Sequence, residues 1–229
     1  MANHYYQLPT GFVLALDPES EFPPLDDALT EPNGLIAIGG ELSSKRLLQA
    51  YRRGIFPWYN AGEPILWWSP NPRMVLFPDE LNVSRSLSKI LKKSLFEIRV
   101  NTAFRDVISA CSEVKRPQQS GTWINQDMIN AYCELHTLGY AISVESWQDD
   151  QLVGGCYGIK INRMFYGESM FHRVSDASKV AFVHLVQYLQ SHHVGMIDCQ
   201  MKTPLLSAFG AREIPRAQFE KHLSFLIQT

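Results

Sequence analysis

Two short polar turns constrain this chain more than any other feature. Asp149-Asp150 and Asn162-Arg163 divide residues 140–171 into three runs, Tyr140 to Trp147, Gln151 to Ile161 and Met164 to Phe171. Apolar runs joined by turns this tight pair antiparallel, so the three predict a meander. A long helix capped by Ser175 or Asp176 follows, with Val180, Val183, His184 and Val186-Gln187 in its middle, and then a buried strand from Met196 to Met201. Thr203 caps and Pro204 opens a short helix stopped by Gly210, and Pro215 opens a last helix to about Ile227. A meander followed by a helix crossing to another strand predicts a mixed sheet with helices packed on it, an α+β fold.

Upstream the signals differ. Residues 1–42 are punctuated by Pro and Gly and carry acids at Asp17, Glu19, Glu21, Asp26, Asp27 and Glu31, which predicts irregular structure with short elements. Ser43 or Ser44 caps a helix running through Leu47, Leu48 and Tyr51 to Arg53, closed by Gly54. Pro57, Pro64, Pro70 and Pro72 forbid a long helix beyond it, so Ile55 to Tyr59 reads as a loop. A boundary near residue 71 yields a small N-terminal domain, 1–71, and a C-terminal mixed-sheet domain, 72–229. Before its meander the second unit reads as a strand (Met74 to Phe77), a helix (84–95), a strand (Ile98 to Val100) and a helix (Phe104 to Glu113). A polar loop follows from Val114 to Gly121, and then a helix capped by Asn125 and ended by Gly139.

Of 229 residues, 45% are hydrophobic and 19% charged, which excludes wholesale disorder. A chain of this length buries roughly 70% of the surface its unfolded form exposes and needs no disulfide or metal staple. With Lys plus Arg 21 and Asp plus Glu 23, the formal net charge is 21 − 23 = −2. That argues against coating nucleic acid over the whole surface and leaves room for a local basic patch. Cys111, Cys133, Cys156 and Cys199 form no C-x-x-C pair, so metal and redox spacings are absent and reduced thiols are expected, with no metal or diffusible cofactor. His192-His193 lacks a third ligand at sensible spacing, and Gly39-Gly40 and Gly154-Gly155 are lone pairs, not a nucleotide fingerprint. The longest apolar stretch near the start, Phe12 to Leu16, is too short for a signal segment, and no run approaches ~20 apolar residues, which predicts a soluble cytoplasmic chain.

Four groups of residues could carry chemistry. Between Glu80 and Glu97 there is no acid, and Arg85, Lys89, Lys92 and Lys93 share an arc of about 100° on the helix, opposite Leu87, Ile90 and Leu91. This is either a solvated face or a phosphate-binding ridge. Trp67 and Trp68 read as core. Trp58 and Trp123 follow loops and are better placed to stack on a nucleobase. Glu168 sits among Met164, Phe165, Met170 and Phe171, where a carboxylate is costly unless it faces outward, pairs with Arg173 or Lys160, or is functional. In Ile197-Asp198-Cys199-Gln200, strand alternation puts Asp198 and Gln200 on one side, Ile197 and Cys199 on the other. An acid and an amide two residues apart either orient an amine and a carbonyl together or satisfy buried backbone.

Glu31-Pro32-Asn33-Gly34-Leu35, Gly39-Gly40, Tyr51-Arg52-Arg53-Gly54-Ile55-Phe56-Pro57-Trp58, Leu66-Trp67-Trp68-Ser69-Pro70, Gly121-Thr122-Trp123-Ile124, Gly167-Glu168-Ser169-Met170-Phe171 and Ile197-Asp198-Cys199-Gln200 form an ordered set over about residues 8–222. In that order they resemble the bacterial leucyl/phenylalanyl-tRNA–protein transferases. The resemblance implies transfer of leucine or phenylalanine, with methionine a third side chain that fits the slot, from tRNA to the α-amine of proteins starting with Arg or Lys, leaving an N-terminus read by the bacterial degradation machinery. It implies a catalytic domain related to the acetyl-CoA-dependent N-acyltransferases. By position it implies that Trp58 and Trp123 flank the terminal adenosine. Cys156, Met170, Phe182, Leu185, Leu189 and Ile197 match the slot for the transferred side chain. Asp198, Gln200 and Glu168 match the polar centre, and Arg85, Lys89, Lys92 and Lys93 the cluster that holds the acceptor stem. Two rivals remain: an acyltransferase using acetyl-CoA, and a non-catalytic RNA-binding module. The first expects a glycine-rich turn where this chain has His172-Arg173-Val174-Ser175-Asp176-Ala177.

Overall fold

A computed structural model describes residues 4–114 and 122–228. The chain opens with strands β1 (His4–Leu8) and β2 (Gly11–Leu16), then β3 (Leu35–Gly39). Irregular structure was expected over this stretch. The strands escape a periodicity reading because β1 is an exposed edge on both faces and β3 is buried on both, so neither alternates. Helix α1 (Ser44–Arg52) starts where Ser43 accepts a hydrogen bond from the Arg46 amide, and Gly54 closes the turn with φ +73°. Two short strands follow, β4 (Phe56–Pro57), within the expected loop, and β5 (Leu66–Trp68). These strands form one sheet in the order β1-β2-β3-β5-β4.

A second sheet begins with β6 (Arg73–Leu76). Helix α2 (Arg85–Lys93) is capped by Ser84, and β7 (Glu97–Val100), α3 (Phe104–Ser112) and α4 (Gln126–Thr137) follow. The polar loop expected between α3 and α4 lies, from residue 115 to 121, outside the described residues. The meander is β8 (Ala141–Gln148), β9 (Gln151–Ile161) and β10 (Met164–His172), each antiparallel to the next. Asp149 and Asp150 both take positive φ, 49° and 58°, as a tight hairpin turn requires. Helix α5 (Ala177–Ser191) crosses to β11 (Met196–Gln200), and α6 (Pro204–Ala208), β12 (Arg212–Ile214) and α7 (Arg216–Gln228) complete the chain. The three-residue β12 was not anticipated. Asp176 precedes α5 but does not cap it: it sits at φ +64°, and its carboxylate accepts from Lys179 Nζ at 2.7 Å instead of a helix amide.

The second sheet runs β12-β6-β11-β10-β9-β8-β7 and is mixed, with β10 and β11 parallel. Helices α3 and α4 pack on one face and α5 on the other. Gly154 and Gly155 on β9 make both approaches possible. A Cβ on Gly154 would lie 2.5 Å from the Ala177 Cβ of α5, and one on Gly155 3.3 Å from Val107 of α3. Gly154→Ala is therefore expected to push α5 off the sheet and cost about 1–3 kcal/mol, measured by urea unfolding. Among the described residues, no helix is long and apolar enough to cross a membrane.

Candidate active site

Strands β10 and β11 pair in parallel from Met164–Met196 to Tyr166–Asp198, where their pairing ends. Both strands bulge at this point. The β10–β9 register slips between Gly167 and Ser169, leaving Glu168 as the extra residue. The β11–β6 register slips between Asp198 and Gln200, leaving Cys199 as the extra one. A bulge bends a strand and redirects its side chains. Gly158 lets the first form: a Cβ there would lie 2.2 Å from the Tyr166 carbonyl oxygen and 2.5 Å from the Phe165 ring.

Beyond the paired stretch lies a cavity of about 470 Å³, with Gly167 to Met170 on one side and Cys199 to Met201 on the other. Its apolar wall is Cys156, Met170, Phe182, Leu185, Ile197 and Leu206. Burial pushes the Cys156 thiol upward, so it packs as a neutral group. Phe56, Pro57, Trp58 and Trp123 also line it. Trp58 is held from behind, since Trp68 Nε1 donates to its carbonyl at 2.7 Å and the two rings pack 5.9 Å apart. Trp67 is fully buried, as expected of core, whereas Trp68 is half-buried in this supporting position.

Of the expected site residues, Trp58, Trp123, Cys156, Met170, Phe182, Leu185, Ile197, Glu168 and Gln200 line the cavity, and Leu189 and Asp198 do not. Helix α5 joins the end of β10 to the start of β11 and so runs back along the strands. Its later turn, with Leu189, lies where β10 and β11 are paired and closed, and Leu189 is fully buried in the core there. Asp198 was expected to share a side with Gln200. The bulge at Cys199 breaks that alternation, and Gln200 takes φ +56° and lines the cavity together with Ile197 and Cys199. The Asp198 carboxylate is fully buried on Arg73, with Nε to Oδ1 at 2.8 Å and Nη2 to Oδ2 at 2.6 Å.

Glu168 pairs with neither Arg173 nor Lys160. Its Oε1 lies 2.7 Å from the Tyr51 hydroxyl and its Oε2 3.3 Å from the Tyr132 hydroxyl, and the two hydroxyls are in hydrogen-bond contact, so the three groups share one network that the Glu168 proton completes. Desolvation pushes the Glu168 carboxyl up to about 8; the Asp198 charge adds to the rise, and the tyrosine bonds and Arg73 oppose it. Burial and Glu168 hold both tyrosines well above their ordinary range. Sequence reasoning assigned no role to Arg73, Tyr51 or Tyr132. Arg73 left one signal: a cation opening an apolar strand, all four of whose residues are buried, demands a carboxylate.

Arg85, Lys89, Lys92 and Lys93 are all exposed on α2, and none is ion-paired among the described residues. Leu87 seats the helix on the core. Leu205 of α6 lines both the cavity and a smaller pocket beside Ser84, Ser86, Leu87 and Ile90, so the basic helix begins one short helix away from the cavity.

An apolar slot that ends at a carboxyl and an amide, under indole rings and close to a cationic ridge, has the parts that acyl transfer from a nucleic-acid-borne donor would need. Comparison with known proteins narrows the class. Residues 75–224 match the family model described as leucyl/phenylalanyl-tRNA protein transferase, and residues 40–71 match the model for its N-terminal domain. Relatives of the same description from Nitrosomonas europaea and Chromobacterium violaceum are 58% and 60% identical over 208 and 204 residues. Those alignments cover 91% and 89% of this chain and 88% and 87% of those proteins. A GCN5-related N-acetyltransferase structure from Kribbella flavida aligns over 72% of this chain and 59% of that one at 10% identity and a TM-score of 0.38, too distant to bear on the chemistry. The chain belongs to the leucyl/phenylalanyl-tRNA–protein transferase family.

Proposed function

We propose that this chain moves leucine or phenylalanine from its tRNA to the α-amine of proteins that begin with Arg or Lys, in the cytoplasm where charged tRNA is made. Transfer from aminoacyl-tRNA to protein is the activity of the family. The acceptor class and the residue roles are our reading. The observation that carries it is convergence: Trp58, the slot around Met170, Glu168 and Gln200 all line one cavity. We retain the division of labour between residues 1–71, which supply Trp58, and 72–229, which supply the slot.

The ester donor is already activated, and an α-amine with pKa near 8 is partly neutral at pH 7. The enzyme must hold amine and carbonyl about 3 Å apart and let one proton leave. In our reading Trp58 and Trp123 flank the terminal adenine and the slot takes the leucyl or phenylalanyl side chain. The Gln200 amide hydrogen-bonds the reacting amine or carbonyl. Glu168 binds the acceptor cation, whose charge draws the carboxyl toward its ionised form. Arg85, Lys89, Lys92 and Lys93 carry acceptor-stem phosphates.

The deciding assay is transfer of labelled leucine from tRNA to peptides that start with Arg or with Ser. The reading predicts transfer to the first and little to the second. Transfer to neither, with tRNA still bound, would leave only an RNA-binding module; micromolar affinity for coenzyme A would revive the acetyl-CoA rival. Cys156→Met narrows the slot and is expected to lower phenylalanine transfer about tenfold relative to leucine, read in competition assays. Lys92→Ala with Lys93→Ala is expected to weaken tRNA binding and lower the slope of log affinity against log salt by about 1.4–1.8. Reaction with a minimal aminoacyl-adenosine donor should be unchanged. Equal losses with both donors would place the lysines elsewhere in the mechanism.

A further inference from the structure

We infer that Arg73 is a positioning residue for the transfer reaction: through Asp198 it fixes the strand bulge that presents the Gln200 amide to the cavity. This inference rests on the reading of Gln200 given above. Arg73 is fully buried at the start of β6, one strand over from Asp198 on β11. The guanidinium lies between two rings, 4.9 Å from the centroid of Phe56 and 4.7 Å from that of Phe219 on α7. Its Nη1 makes no hydrogen bond among the described residues. The rings and the two-pronged bond to Asp198 therefore fix its plane.

Asp198 transmits that placement. Its Oδ1, already accepting from Arg73 Nε, also accepts the Gln200 backbone N–H at 3.0 Å. That amide belongs to a residue in the left-handed region, one step past the extra residue of the bulge. The adjoining turn is closed by the Met201 N–H on the Cys199 carbonyl at 2.7 Å. A glutamine adopts this conformation only where its surroundings impose it. The strut is thus Arg73 to Asp198 to the Gln200 backbone, and the amide side chain lines the cavity on the far side. With both carboxylate oxygens engaged and no share in the cavity lining, Asp198 holds the reactive residue and takes no proton from the substrate. Phe56 lines the cavity while stacking on Arg73, so the same clamp braces the cavity wall.

The test compares Arg73→Met, Asp198→Asn, the pair together, and Arg73→Met in a Gln200→Ala background, with saturating leucyl-tRNA and an Arg-starting peptide. Each single change at Arg73 or Asp198 leaves a buried charge alone and should lower kcat about tenfold or more, with both KM values within about twofold. The pair is neutral and keeps an acceptor for the Gln200 N–H, so it should recover kcat to within about threefold of the native protein and keep the native pH profile. In the Gln200→Ala background, Arg73→Met should cost less than about twofold more, because no amide remains to be placed. Should methionine prevent folding, Arg73→Lys, which keeps the charge without the second prong, replaces it in the Gln200→Ala comparison alone: it should lower kcat in the native background and cost less than about twofold more once the amide is gone. A folded pair as inactive as Asp198→Asn alone would make the carboxylate charge chemically necessary and overturn the inference, as would losses at Arg73 and Gln200 that simply multiply. Native activity in Gln200→Ala itself would sink the reading of Gln200, a separate failure.

Discussion

Gln200→Ala is expected to lower kcat for transfer by about a hundredfold while affinities for tRNA and acceptor peptide stay within about twofold of the native values. A preorganised amide aimed at the reacting atoms supplies about 3 kcal/mol of transition-state stabilisation in comparable acyl-transfer sites. Gln200 is held for such a role by a bulge, a positive φ of 56° and a backbone bond to Asp198. The apolar slot and Trp58 do not depend on the side chain, so ground-state binding should survive. The split between kcat and KM is the informative readout. A raised KM with kcat unchanged would mean that the amide only helps to bind substrate.

Glu168→Gln is expected to raise KM for an Arg-starting peptide by about 10–100-fold and to erase most of the preference for arginine over its uncharged analogue citrulline, since a charge-assisted bond contributes about 1.5–3 kcal/mol. The native carboxyl, held up near 8, is mostly protonated at pH 7 in the free enzyme. A bound cation favours the ionised form, so acceptor binding at pH 7 should release a proton that Glu168→Gln does not release. Calorimetry in two buffers of different ionisation enthalpy reads the difference. Stability should respond as well. Between the ordinary carboxyl value of 4.5 and about 8, the folded protein holds a proton that the unfolded chain has lost. This group's contribution therefore falls as pH rises through that window, and Glu168→Gln should flatten the curve. A variant as pH-sensitive as the native protein would assign the slope to another group.

Much of the second sheet was legible. Two-residue turns built on Asp149, Asp150 and Asn162, all at positive φ, set the meander, and Ser43, Asn125 and Thr203 cap helices where expected. The first sheet was hidden because an edge strand exposed on both faces and a central strand buried on both carry no period-2 signal. The site failed in an instructive way. Its residue types were visible, but alternation is a rule for regular strands, and Glu168 and Gln200 sit at two bulges facing each other across the splay. Side-chain direction at a bulge depends on what a neighbouring strand allows, here Gly158 and Arg73. Tyr51 and Tyr132 lie 117 and 36 residues from Glu168 and join it only through packing of α1 and α4.

The most direct test of the central claim is a crystal structure with phenylalanyl-adenosine linked through a non-hydrolysable amide. The account predicts adenine between Trp58 and Trp123, the phenylalanyl ring among Met170, Phe182 and Leu185, and the carbonyl within hydrogen-bond reach of Gln200. A ligand whose adenine avoids both indoles, or whose carbonyl faces away from Gln200, would contradict it.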